Sequence, residues 1–211
     1  MKRARPPARA MSTDRPRLIL ASESPRRREL LATLGLPFEV CPSGIPEEFP
    51  PGGPREGVTA LALAKARAVA RTVEAGVVLG ADTAVVLEGT IFGKPEDTDD
   101  ARRMLRALRG RRHEVITGLA LVEAPSGRVE TATVVTGVRM ASYDDATIEA
   151  YLATGEPFDK AGAYAIQGWG GRLVEAVEGC YTNVVGLPVT TTRRLLTAWA
   201  LGDPFEDEPH F

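Results

Sequence analysis

Sulfur and imidazole are scarce in this 211-residue chain, which holds two cysteines and two histidines. Cys41 and Cys180 lie far apart with no CxxC or Cys/His spacing, a pattern that excludes a structural zinc site and points to reduced thiols in a cytoplasmic protein. His113 and His210 stand in no pattern, and an exposed polar role is expected of each. Aromatic residues make up 6% and do not interleave with basic ones, and the formal net charge is −2. Both facts argue against a stable nucleic-acid partner, and the charge argues against general affinity for a membrane surface. No apolar run approaches the roughly 18 residues that a membrane span needs, and no apolar secretion signal opens the chain. A GxxxxGKS/T pattern is also missing, which removes a P-loop phosphotransferase.

What remains is ordinary globular material, with 44% hydrophobic residues, enough for one compact core. Residues 1–16 are rich in Arg and Pro and are expected as a disordered extension; residues 202–211 are expected as an acidic, solvated tail. Between them, residues 17–201 alternate between strand and helix patterns. Strands are expected at Leu18–Ala21, Phe38–Cys41, within VVLGADTAVVLEG, and as a hairpin of His113–Glu123 with Arg128–Met140. Helices are expected at Pro25–Leu34, about Arg55–Glu74, Thr98–Leu108, Tyr143–Thr154 and Leu187–Leu201. The chain therefore reads as an α/β chain with a mixed sheet, one compact domain or two lobes sharing that sheet.

The stretch SESPRRREL carries the strongest chemical signal. Pro25 suits the first helical position and Ser24 the cap, so Arg26, Arg27 and Arg28 fall in the first turn, where the helix dipole is already positive. A cation misplaced there costs roughly 0.3–1 kcal/mol, so three of them call for a negative partner such as a phosphate chain. Arg26 and Arg27 stand four residues before Leu30 and Leu31, above the core-facing stripe, while Arg28 looks outward. The plainer reading is a solvated basic turn.

Other residues resist explanation by packing. Lys65 projects from the buried face of its helix and must either snorkel to the rim or meet an anion. Asp82, at the end of a nearly apolar strand, needs a cation nearby; such strand-end carboxylates serve as bases or metal ligands in α/β proteins. Glu47 and Glu48 sit in a long Pro/Gly-rich loop, held toward a cleft or simply solvated. Lys94 is presented by FGKP, and Gln167 lies in DKAGAYAIQG, either lining a pocket or satisfying local backbone. Together, Arg26, Arg27, Lys65 and Lys94 supply cations, while Asp82 and Glu47 can hold a divalent metal, a combination suited to a metal-bound polyphosphate.

The ordered series SESPRRREL, LALAKARA, GADTAVV, FGKP, DKAGAYAIQG and CYTNVVGLP resembles the Maf family of nucleoside triphosphate pyrophosphatases, over about Leu18–Leu201. The resemblance implies an elongated mixed sheet flanked by helices around a central cleft, similar to the inosine triphosphate pyrophosphatase fold. It also implies a homodimer, a divalent cation (Mg²⁺, Mn²⁺ or Co²⁺), and hydrolysis of a nucleoside triphosphate between its α and β phosphates. It assigns Asp82, Lys65, Lys94 and Glu47 to catalysis, Asp82 and Glu47 to the metal, and Ser22, Ser24, Arg26 and Arg27 to the phosphates. Arg26, Thr83 and Gln167 match positions that select dTTP and UTP. A carboxamide accepts from N3–H and donates to a carbonyl of uracil or thymine, whereas a carboxylate suits guanine. The neighbouring branch acting on 7-methyl-GTP is the nearest alternative; a noncatalytic nucleic-acid-binding module linked to cell division is the distant one. Cys180 stands where serine is more usual, and Pro46 precedes Glu47 where an acidic residue is common.

Overall fold

The computed structural model describes residues 16–201. The expected N-terminal extension, apart from its last residue, and the expected acidic tail with His210 lie outside the described residues. The chain forms a seven-stranded mixed sheet in the order β2-β1-β3-β5-β6-β7, with β4 paired to β3 off this path. The strands are β1 (Leu18–Leu20), β2 (Phe38–Val40), β3 (Gly76–Leu87), β4 (Thr90–Phe92), β5 (Arg112–Ala124), β6 (Val129–Met140) and β7 (Val174–Glu178). β1 runs parallel to β2 and β3, and all other pairs are antiparallel. The helices are α1 (Pro25–Ala32), α2 (Pro54–Ala70), α3 (Thr98–Leu108), α4 (Asp145–Leu152), α5 (Tyr181–Val185) and α6 (Val189–Ala198). Every expected element is present within a few residues; β4, β7, α5 and three 3-10 turns between Glu156 and Leu173 are additional. These additions are short, and below one or two periods a pattern of burial carries no signal.

The alternation of the strands dictates the layers. Leu18 and Leu20 of β1 join Leu79, Leu119 and Leu121 under Leu31 of α1 and Leu195, Leu196 and Trp199 at α6. Ile19, Val78, Ala120 and Val122 point the other way, onto Ala62, Ala66 and Val69 of α2. A third cluster packs α3 and α4 against the far end of the sheet through Leu105, Leu108, Ile148 and Tyr151. The contact between α2 and the sheet is unusually close. A Cβ on Gly80 would stand 2.1 Å from the Ala62 carbonyl oxygen, and one on Gly118 would stand 2.5 Å from Val58. Glycine at both places lets the helix backbone rest on the strand backbones.

Two expectations are corrected by the fold. His113 is 2% exposed, not a surface residue, because β5 carries it into the third cluster, where its Nε2 lies 2.7 Å from the Tyr164 hydroxyl. Burial, with a smaller contribution from the nearby Arg112 charge, lowers its pKa to about 4. Asp82 is not at a strand end but in the middle of β3.

Candidate active site

The central position of Asp82 is explained by its neighbours in the ladder. On one side β3 pairs continuously with β5 from Gly76 to Val86. On the other, β1 covers only Val77–Leu79 and β4 covers only Val85–Leu87. Between these two partners the edge at residues 80–84 opens, and the loop leaving β1 runs into α1 beside it. A parallel strand that ends beside a gap is the usual place for a ligand in an open α/β sheet. A cleft of about 780 Å³ occupies this gap, lined among others by Ser22, Ser24, Arg26, Arg27, Glu47, Lys65, Asp82, Thr83, Lys94 and Gln167. The ten residues that the resemblance assigns to the site thus line one cavity, although Ser22 and Gln167 stand 145 positions apart.

Lys65 is the hub. Its ammonium donates to Glu47 Oε1 at 2.5 Å and to Asp82 Oδ1 at 2.7 Å, and Lys94 donates to Glu47 Oε2 at 2.9 Å. The side chains of Lys65 and Asp82 are 5% and 8% exposed, so neither ion could stand there alone. Lys94 and Glu47 are 58% and 48% exposed and close the rim. Burial acts to raise the Glu47 pKa, but the bonds and charges of Lys65 and Lys94 outweigh it and bring the value down to about 2. Asp82 Oδ2 receives no hydrogen bond from any described residue.

The arginine pair divides into two roles. Ser24 caps α1, accepting from the Arg27 backbone N–H at 3.4 Å, with Pro25 in the first turn. Arg27 is turned inward: it donates to the Gly186 carbonyl at 3.0 Å, to Thr83 Oγ1 at 3.1 Å and to Ser22 Oγ at 3.4 Å. Burial pulls its pKa below the usual value, opposed by the charges of Asp82 and Glu47. Arg26 is half-buried in the cleft wall and makes no hydrogen bond or ion pair with a described residue, though its charge acts on the Asp159 carboxyl; Arg28 is exposed as expected. Thr83 continues inward to Thr117 Oγ1 at 2.9 Å, and Thr117 donates to the Asn183 carbonyl at 3.5 Å. Cys180 stands just before α5 at its N-terminal cap position, its Sγ 3.3 Å from Thr182 Oγ1, and Pro46 leaves Glu47 on Lys65.

Gln167 is an exposed part of the cleft lining, just before the 3-10 turn Gly168–Leu173, and its amide makes no hydrogen bond to a described residue. Asp159, Lys160 and Tyr164 also line the cavity, and the sequence reading passed over them. Their signal lay in DKAGAYAIQG itself, where only the carboxamide was singled out. Glu48, named beside Glu47 in the Pro/Gly-rich loop, is exposed and is not part of the lining.

Among the described residues no three His, Cys, Asp or Glu side chains come together as a metal-holding group. The carboxylates that do converge, Asp82 and Glu47, share the Lys65 ammonium. Mg²⁺ is commonly held by one or two carboxylates together with substrate phosphates and water, so this donor set fits an ion that arrives with a polyphosphate.

A basic helix start, a ladder gap and a lysine bracketed by carboxylates define an α/β protein built to receive a phosphorylated ligand. The family comparison agrees: residues 17–199 match the model described as Maf-like protein, and the chain belongs to that family. Over 194 residues it is 54% identical to a dTTP/UTP pyrophosphatase of Anaeromyxobacter dehalogenans (strain 2CP-1), covering 90% of this chain and 98% of the relative. A dTTP/UTP pyrophosphatase of Moorella thermoacetica is 53% identical over 189 residues, covering 88% and 96%. One of Chromobacterium violaceum is 50% identical over 200 residues, covering 92% and 100%.

Proposed function

We propose that this protein is a nucleoside triphosphate pyrophosphatase that hydrolyses dTTP and UTP to the monophosphate and pyrophosphate. The observation that carries this reading is the convergence of Arg26, Lys65, Asp82, Lys94 and Gln167 on one cleft. The triphosphate lies along Arg26, Lys65 and Lys94, with the backbone N–H groups at the start of α1 and Ser22 at its side. Arg27 holds that wall to Thr83 and Gly186. Asp82 uses its unbonded Oδ2 to orient a water and take its proton as the oxygen attacks the α-phosphorus. The bond from that phosphorus to the α,β-bridging oxygen breaks, and the lysines and Arg26 stabilise the charge on the departing pyrophosphate. Gln167 reads the pyrimidine edge, accepting from N3–H and donating to a carbonyl.

Asp82 and Glu47 would hold a divalent cation, Mg²⁺, Mn²⁺ or Co²⁺; when bound it neutralises phosphate charge. A cytoplasmic setting is supported by the two unpaired thiols, Cys41 and Cys180. Among the described residues no helix is long and apolar enough to cross a membrane. A homodimer without a nucleic-acid partner completes the proposal, and light scattering of the purified protein checks the dimer.

The deciding experiment is a panel of standard and modified triphosphates incubated with Mg²⁺, Mn²⁺ or Co²⁺, with products identified chromatographically. Monophosphate and pyrophosphate from UTP and dTTP are expected. Release of orthophosphate instead, or preference for 7-methyl-GTP, would reject the reaction or the substrate.

A further inference from the structure

Gln167 can read a base only if its backbone is held still, and the structure contains a clamp for that purpose outside the cleft lining. On its N-terminal side, the Ala165 N–H donates to the hydroxyl of Tyr151, a fully buried residue of α4, at 3.0 Å. On its C-terminal side, both carboxylate oxygens of Glu156 accept from successive backbone N–H groups, Trp169 at 3.1 Å and Gly170 at 3.2 Å. The Trp169 ring then stacks on Tyr151, with centroids 5.3 Å apart and planes 12° from parallel, so the two anchors are joined. Gly168 adopts φ +72°, and a Cβ there would stand 2.8 Å from Glu156 Oε1, so the carboxylate is seated directly against the turn that follows Gln167. A carboxylate receiving two main-chain N–H groups makes charge-assisted bonds, roughly twice as strong as neutral ones.

Resting on the pyrimidine-reading role proposed for Gln167, we infer that Glu156 and Tyr151 are positioning residues for base selection: they hold residues 165–170 so that the Gln167 amide meets the pyrimidine edge. Neither lines the cleft, so their effect passes entirely through the backbone of the reader. This role differs from general support of the fold in one measurable respect. It matters for a substrate that has a base and not for one that lacks it.

The test compares UTP with ribose 5′-triphosphate, which keeps the sugar and phosphates. In the Glu156→Ala variant, kcat/KM for UTP relative to ribose 5′-triphosphate is expected to fall about tenfold, with the loss in KM and not kcat. Glu156→Gln, which keeps one acceptor oxygen, is expected to recover part of that ratio. Tyr151→Phe removes only the hydroxyl and is expected to shift the ratio the same way by a smaller factor; it carries the test if Glu156→Ala does not fold. An unchanged ratio, or equal losses on both substrates, overturns the inference while leaving the pyrophosphatase reading in place. If the unmodified protein releases no pyrophosphate from UTP, that reading falls and this one with it.

Discussion

Two stretches of the cleft lining, one around Lys65 and one around Gln167, are built by opposite means. Around Lys65, charged side chains arrive from parts far apart in the chain: Lys65 from α2, Asp82 from β3, Glu47 and Lys94 from loops. Around Gln167, one contiguous segment from Asp159 to Gln167 contributes to the lining, and its main chain is held at Ala165 by Tyr151 and just beyond Gln167 by Glu156. The first stretch fixes where charge stands, and changing it disturbs chemistry and stability together. The second fixes the shape of a turn, so it can be altered without touching the charges around Lys65.

The largest expected effect lies in the first stretch. Asp82→Asn should lower kcat by about 10²–10⁴-fold, measured as pyrophosphate release from UTP, while circular dichroism remains that of the unmodified protein. Near-normal turnover by the folded variant would remove Asp82 from the proton transfer. Next, Lys65→Met should cost about 3–5 kcal/mol in urea unfolding, because it leaves the buried Asp82 carboxylate without its counter-charge. Lys94→Met should cost no more than about 1 kcal/mol, since the exposed Lys94–Glu47 pair is screened by water. Equal costs for the two lysines would mean that burial does not divide the cluster as described.

In the second stretch, Gln167→Glu should reduce the kcat/KM preference for UTP over GTP by about tenfold, by replacing a donor-acceptor edge with an acceptor-only one. Unchanged ratios across the panel would count against Gln167 as the reader. The smallest effect is a pH dependence. Glu47 has a folded pKa of about 2 against an ordinary 4.5, so its stabilising contribution is complete above pH 4.5 and fades as pH falls through about 2. The melting-temperature difference between the unmodified protein and Glu47→Gln should therefore be full at pH 5 and shrink steadily toward pH 2. A difference constant over that range would show that the pair contributes nothing through charge.

The same contrast governs what could be read from the residues alone. Lys65 and Asp82 were legible because each violates the burial pattern of its own element, and a violation demands a partner. Ser24 and Pro25 were legible because helix starts are local. The ladder gap beside Asp82 was not, since it depends on the three-residue strand β4, too short to leave a period in the sequence. His113 was misplaced for a related reason: its neighbours Arg111, Arg112 and Glu114 make the start of β5 look exposed, and only its pairing with β6 and the contact with Tyr164 put the ring inside. Glu156 and Tyr151 were invisible because they act on main-chain atoms, which no side-chain motif records.

Gly80 and Gly118 set a limit on how this architecture can change over time. Because α2 meets β3 and β5 backbone to backbone, the depth at which Lys65 stands is determined by peptide geometry and not by the bulk of surrounding hydrophobic residues. Leucine, valine and alanine layers elsewhere are therefore free to drift among descendants, while any methyl group gained at either glycine would lift the helix and carry its ammonium out of reach.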